Sequence, residues 1–352
     1  MRRYLLLTFL VFIAGCKPNT MDNPSSIEVD QTTIGKHIER LASDEFAGRM
    51  PGTDGEVKTV NYLRDEFSKL GASPGNRNSF FQEVPLIKFD GVPSEELVIS
   101  GAENDIKLKH FNDYMAVTEK AIPEVSLQNS ELVFAGFGIV APEYGWNDYE
   151  GIDWNGKTAV VLVNDPGFES GDSTLFKGNE MTYYGRWTYK YEEAARQGAA
   201  GILIIHETEP AGYGWGVIQS SNANNYLILE SEAPVVDIEG WISLQSAEKI
   251  FDSSVLKGKD LKALARNKEF KPVPLGLKAS VKIRNSISNL VSKNVIALIP
   301  GTERKDEYII YSAHWDHLGI GKAIDGDSIY NGAIDNASGT AALLAMAEAF
   351  KK

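Results

Sequence analysis

Short runs of apolar residues, bounded by Gly, Pro, Asn or Lys, constrain this chain more than any other feature. Residues 157–163 read KTAVVLV, 201–205 GILII, 294–299 NVIALI and 307–313 EYIIYSA. Each is short for a helix and lacks the polar-apolar alternation of a half-exposed sheet, so each is expected to be a buried strand. The runs 294–299 and 307–313 are expected to be central. Residues 131–140 and 234–238 read as further short strands, and 276–287 alternates as a half-exposed strand does.

Helical spacing appears between these runs. Residues 34–41 carry Ile34, Ile38 and Leu41 on one face. Residues 56–70 place Val57, Val60, Leu63, Phe67 and Leu70 on a stripe, with Gly71 as a C-terminal stop. Residues 191–198, 242–251 and 340–352 read as helices as well. Strands alternating with helices predict an α/β architecture. The texture changes near 110 and again after 274, so an N-terminal piece, 27–109, and a C-terminal piece, 275–352, are expected to flank an inserted β-rich block, 110–255. The length of 352 residues suits two domains, with one or three open.

The net charge is −13. A nucleic-acid partner must have its phosphates neutralised, so the acidic balance argues against one. The one cysteine, Cys16, excludes an intramolecular disulfide and a cysteine metal cluster. Arg2 and Arg3 precede an apolar run, 4–15, interrupted by Thr8. That run is too short to cross a bilayer and fits a signal peptide, 1–15. Ile13-Ala14-Gly15-Cys16 resembles a bacterial lipobox. The resemblance implies cleavage before Cys16, lipidation there and export to a membrane face; a plain secretory signal with a chance cysteine is the alternative. Acyl chains anchor through burial of about 0.8 kcal/mol per CH₂. Residues 16–26 are polar and read as a tether.

The chemistry concentrates in 311–339. His314-Trp315-Asp316-His317 ends an apolar run, and Asn331-Gly332-Ala333-Ile334-Asp335-Asn336-Ala337-Ser338-Gly339 opens a helix. On a strand, residues two apart share a face, so His314 and Asp316 project together and the carboxylate can steady the imidazole. Asp335 falls in a loop before a helix, at the sheet edge where α/β ligands gather. Alone, His-x-Asp is unspecific, and Asp335 would be a cap or turn residue. In this order, on a strand end and a helix start, the combination is much more specific.

HWDHLG followed by YNGAIDNASGT resembles the co-catalytic two-zinc aminopeptidases of metallopeptidase family 28. The opening ASDEFAGRMPGTDGE resembles that family's start. GKTAVVLVNDPG and YKYEEAARQGAAGILIIHETEPAGYGWG resemble its inserted protease-associated domain. The resemblance implies an α/β/α sandwich with a mixed sheet interrupted by that insertion, with 275–352 holding the start of the metal-binding part. By motif position His314 would bind one zinc, Asp335 would bridge two, and Asp316 would orient His314. It also implies a cis peptide at Asp335-Asn336. The activity implied is removal of N-terminal residues from peptides by water activated between two metals.

The family takes a Glu pair, a further acid and a second His after the bridging aspartate. They are expected beyond Lys352, with this chain the front part of a longer protein. Glu95-Glu96 and Glu192-Glu193 precede the motif and read as a solvated loop and a solvated helix face; Glu348 is a lone acid on a helix. His37, His110 and His206 read as surface or structural residues, and His317 as a bystander more than a supporting group. A non-catalytic peptide-binding lipoprotein is the alternative from another class. The inserted block acting alone as a lid or interaction module is a third, with Tyr183, Tyr184, Trp187 and Trp215 expected to pack in its core. A carboxypeptidase or amidase variant stays open, as does the oligomeric state.

Overall fold

A computed structural model describes residues 27–221, 225–324 and 326–351. The signal peptide, Cys16 and the tether expected from the sequence lie outside the described residues. The chain divides into two units, one comprising the described residues to Gln82 and from Lys293 onward, the other Glu83–Ser292.

The first unit is built on three helices. Asp30 caps Gln31–Leu41 by accepting from Thr32 N at 2.9 Å. Asp54–Lys69 follows a one-turn helix at Asp44–Arg49. It ends at Gly71, whose positive φ of 73° supplies the expected stop. Val60 and Leu63 are buried, but Val57 is 57 % exposed, and Glu56 and Thr59 take the buried positions beside the stripe. Ser338–Lys351 buries a face of Ala341, Leu344, Ala345, Ala347 and Ala349. Small side chains let it lie against Gln31–Leu41, where Thr33 Oγ1 donates to Glu348 Oε2 at 3.2 Å. Val60, Leu63, Trp315 and Leu344 form one core; Leu41, Phe46 and Ala337 form a second.

The two runs expected as central strands differ from expectation. In the first of them Asn294 and Val295 end the strand Val273–Val295, and Ala297–Leu298 pairs antiparallel with Ser73–Pro74. Residues 307–313 belong to no strand, and Ile309 and Ile310 are 83 % and 86 % exposed. Apolar content expresses a demand for burial, but a strand also needs a hydrogen-bonded neighbour. None stands beside 307–313 among the described residues. Gly319–Ile324 and Asp327–Tyr330 form an antiparallel pair.

The second unit holds a mixed sheet. Glu124–Phe134, Thr158–Leu162, Gly201–His206 and Ile238–Ser243 run parallel, and Tyr114–Val117 closes that edge antiparallel. The other side continues antiparallel through Val273–Val295, Phe81–Pro93 and Asn225–Leu229. Thr158–Leu162 is buried throughout. Val160 and Leu162 enter one core with Phe134, Leu203 and Ile242, whereas Ala159 and Val161 enter another with Val133, Ile202 and Trp241. That is period-two alternation in a strand covered on both faces, as its composition requires. The strand expected at 234–238 begins instead at Ile238, because pairing with Gly201 fixes the register. The expected helices 191–198 and 242–251 are Trp187–Arg196 and Leu244–Asp252. Among the aromatics expected to pack, Tyr183 and Trp187 are exposed, while Tyr184 packs beside the core.

A buried polar knot locks the 137–148 loop of this unit. Asp148, 1 % exposed, accepts from Phe137 N and Ile139 N at 3.1 Å and from Trp146 Nε1 at 2.8 Å. Lys190, fully buried, donates to Phe137 O at 2.6 Å and Tyr184 O at 3.2 Å. Burial raises the Asp148 carboxyl to about 7 and lowers the Lys190 ammonium to about 7, each against the other's opposing charge.

Candidate metal centre

The segment carrying His314 is extended, and its buried residue holds it in place. Trp315 sinks into the core of Val60, Leu63 and Leu344 and donates Nε1 to Lys293 O at 3.0 Å. With Trp315 inward, its neighbours His314 and Asp316 face outward. The His314 carbonyl accepts from Thr340 Oγ1 at 3.0 Å and Asn336 Nδ2 at 3.3 Å, which pins it to the start of Ser338–Lys351.

Asp335 stands in a distorted turn, Ala333–Ala337, before that helix. Gly332 begins the turn at φ 61°, and a Cβ there would lie 2.6 Å from the His317 ring. The Asp335-Asn336 peptide is cis.

These elements bring the two residues singled out by the sequence together. His314 Nε2 lies 3.2 Å from Asp335 Oδ1. His314 Nδ1 lies 3.1 Å from the Asp316 carbonyl and 3.4 Å from Asp316 Oδ1. A carbonyl can only accept, so a neutral His314 that donates its Nδ1 proton there presents the Nε2 lone pair toward Asp335. That lone pair and a carboxylate oxygen facing it at 3.2 Å are two acceptors, an arrangement suited to sharing a cation. The nearer Asp316 acceptor is its backbone oxygen and not the carboxylate expected to orient the ring.

His317 is more involved than expected. Its Nδ1 is 4.0 Å from Asp335 Oδ2. Burial lowers its proton affinity, with Asp335 opposing and the Arg49 charge assisting. Arg49, inside the quoted opening motif, was given no role by the sequence. It is 1 % exposed and donates to four carbonyls: Trp315 O at 2.8 Å, Leu41 O and Asn331 O at 2.6 Å, and Gly332 O at 2.8 Å.

The remaining candidates serve structure. His37 Nδ1 is 2.6 Å from Tyr62 Oη, His206 Nε2 is 3.0 Å from Tyr213 O, and His110 packs edge-on against Tyr114. Glu96 pairs with Lys107 at 3.1 Å. Glu193 was expected on a solvated face but is buried, paired with Arg196 at 2.8 Å. Among the described residues no group of three or more His, Cys, Asp or Glu is placed to hold a metal ion. His314 and Asp335 therefore fit zinc as a pair of donors, short of the three or so protein ligands of a catalytic zinc site.

Residues 294–352 match the model of peptidase family M28. The match covers this segment alone. It contains His314, Asp316 and Asp335, so the M28 pattern and the convergent donors coincide. Among solved structures the chain is similar to the aminopeptidase from Aneurinibacillus sp. strain AM-1, at 22% identity and TM-score 0.44, covering 92% of this chain and 59% of that one. The zinc aminopeptidase from Bacillus subtilis has 17% identity and TM-score 0.36, with 93% and 59% covered. The peptidase M28 precursor from Shewanella amazonensis SB2B has 16% identity and TM-score 0.40, with 93% and 64% covered. The chain thus spans about three fifths of the length of these M28-type structures. No curated protein matches the chain.

Proposed function

We propose that this chain is part of a zinc-dependent exopeptidase that removes N-terminal residues from peptides. The observation that carries the proposal is the 3.2 Å approach of His314 Nε2 to Asp335 Oδ1 within a segment that matches the family M28 model. Zinc, when bound, supplies a Lewis acid and an activated water. His314 would be one ligand and Asp335, with two oxygens, a bridge between two ions.

The chain's own groups set up that role. The Asp316 carbonyl favours the neutral His314 tautomer that carries its proton on Nδ1 and offers Nε2 to a metal. Thr340 and Asn336 hold the His314 backbone against the helix that follows Asp335. Trp315, buried against Val60, Leu63 and Leu344, anchors the His314 segment. Residues 110–255, within the unit Glu83–Ser292, are proposed as the inserted protease-associated domain, and Cys16 as a lipid anchor holding the exported protein to a bacterial membrane. Among the described residues no helix is long and apolar enough to cross a membrane.

The test is zinc titration of the full chain against a chromophoric chelator, with His314→Ala and Asp335→Ala. Each variant is expected to weaken zinc at least tenfold. Hydrolysis of an aminoacyl p-nitroanilide, compared with its N-acetylated form, reads exopeptidase activity. Unchanged zinc affinity in both variants would remove the metal reading.

A further inference from the structure

The His314–Asp335 approach joins two segments with no local reason to meet. One is an extended segment anchored by Trp315; the other is the turn before Ser338–Lys351. The group between them is the Arg49 guanidinium. Its Nε donates to Trp315 O, beside His314, at 2.8 Å, while Nη1 and Nη2 donate to Asn331 O at 2.6 Å and Gly332 O at 2.8 Å. A further Nη1 bond reaches Leu41 O at 2.6 Å, tying the assembly to the end of the first helix. The Arg49 carbonyl in turn accepts from His317 N at 3.4 Å.

A buried cation normally faces a carboxylate, because removing its charge from water is costly. No ion pair is formed by Arg49 among the described residues, and its donors go to main-chain oxygens. Asp316 and Asp335 offset its charge at longer range. The backbone is shaped for this placement: Ala47, Gly48 and Arg49 have φ of 48°, 67° and 54°. A Cβ on Gly48 would collide with the carbonyl of Gly319 and lie 2.7 Å from that of Tyr330. Three successive left-handed residues are costly, and here they turn the Arg49 side chain inward.

We propose that Arg49 is a positioning residue, whose planar fork clamps the His314 segment and the Asp335 turn together and so sets the separation of the two metal donors. The role rests on the zinc reading above, but the clamp itself has a metal-free consequence. Lysine cannot replace it. An ammonium offers three donors from one atom, whereas these acceptors are addressed from three separate nitrogens.

The experiment compares wild type, Arg49→Lys and Phe67→Ala, which trims the edge of the same unit's core without removing any donor to these carbonyls. In zinc-free protein, hydrogen exchange is expected to accelerate at least tenfold in both 314–318 and 332–337 for Arg49→Lys, with Asp54–Lys69 unchanged. Zinc affinity is expected to fall at least tenfold. Phe67→Ala should lower the melting temperature and leave zinc affinity within twofold. Unchanged exchange in either segment of Arg49→Lys overturns the clamp. Loosened segments in a protein whose zinc affinity ignores His314→Ala keep the clamp and remove the metal reading. Should Arg49→Lys not fold, wild-type exchange across a denaturant series decides. One clamp predicts a common opening free energy for both segments, below that of Asp54–Lys69, and distinct values overturn it.

Discussion

Replacing Asp148 by Asn tests the polar knot of the second unit atom by atom. Asp148 Oδ2 accepts from Phe137 N and Ile139 N, and Oδ1 accepts from Trp146 Nε1. An asparagine can keep the two backbone bonds by placing its oxygen where Oδ2 stands. Its NH₂ then faces the indole N–H, donor against donor, in a site closed to water. Leaving one buried donor unmet costs about 1–3 kcal/mol. A second effect opposes this one. The Asp148 carboxyl is raised by burial from 3.8 to about 7. Its folded proton affinity exceeds the unfolded one, so its contribution is full below about pH 4 and is lost as pH rises through 7. Asparagine has no such loss. At about 1.4 kcal/mol per tenfold in proton affinity, the wild type gives up at most a few kcal/mol across that window. The deficit of Asp148→Asn is therefore expected to be largest near pH 4 and to shrink or reverse by pH 8. Urea melts followed by far-UV circular dichroism, at pH 4.5 and 8, measure it. Trp146→Phe removes the clashing donor, so the double variant should be more stable than the sum of the singles by about 1 kcal/mol. Strict additivity, or a deficit that grows with pH, would refute the reasoning.

Three further outcomes follow from the same structure. Lys190 is lowered by burial to about 7, so its neutral form is favoured in the folded state; wild-type stability should gain from it between pH 7 and 10, and Lys190→Met should flatten that rise in urea melts. Leu344→Ala empties a fully buried site against Val60, Leu63 and Trp315; a loss of about 2–5 kcal/mol is expected as a lower urea midpoint at unchanged slope. Gly48→Ala should cost more than Gly71→Ala although both glycines have positive φ, because Gly48 faces rigid carbonyls and Gly71 faces only the end of the Lys351 side chain, 3.5 Å away; thermal melts of the two variants compare them.

The convergence of His314 and Asp335 was legible in the sequence, and the place of Arg49 between their segments was not. His314, Asp316 and Asp335 stand in patterns specific enough to point to a metal pair, and the structure brings His314 and Asp335 to 3.2 Å. Arg49 sits in an equally recognisable stretch, yet its acceptors include a carbonyl 266 residues away, and main-chain oxygens leave no trace in side-chain identity. The same limit explains Ile238–Ser243, whose start depends on the partner strand. Glu193 was misread for a local reason: its carboxylate is buried on the helix while its partner three residues on, Arg196, stays half-exposed.

By itself the sequence determined which segments want burial, where helices stop, and which side chains carry lone pairs for a cation. These follow from local dihedral preference, apolar periodicity and the chemistry of single residues. Only the tertiary structure decided that Thr158–Leu162 gains strand neighbours on both sides while 307–313 gains none among the described residues, and that a guanidinium joins the His314 and Asp335 segments. Hydrogen-bond pairing between distant parts of the chain is a property of where backbones meet, and composition does not encode it.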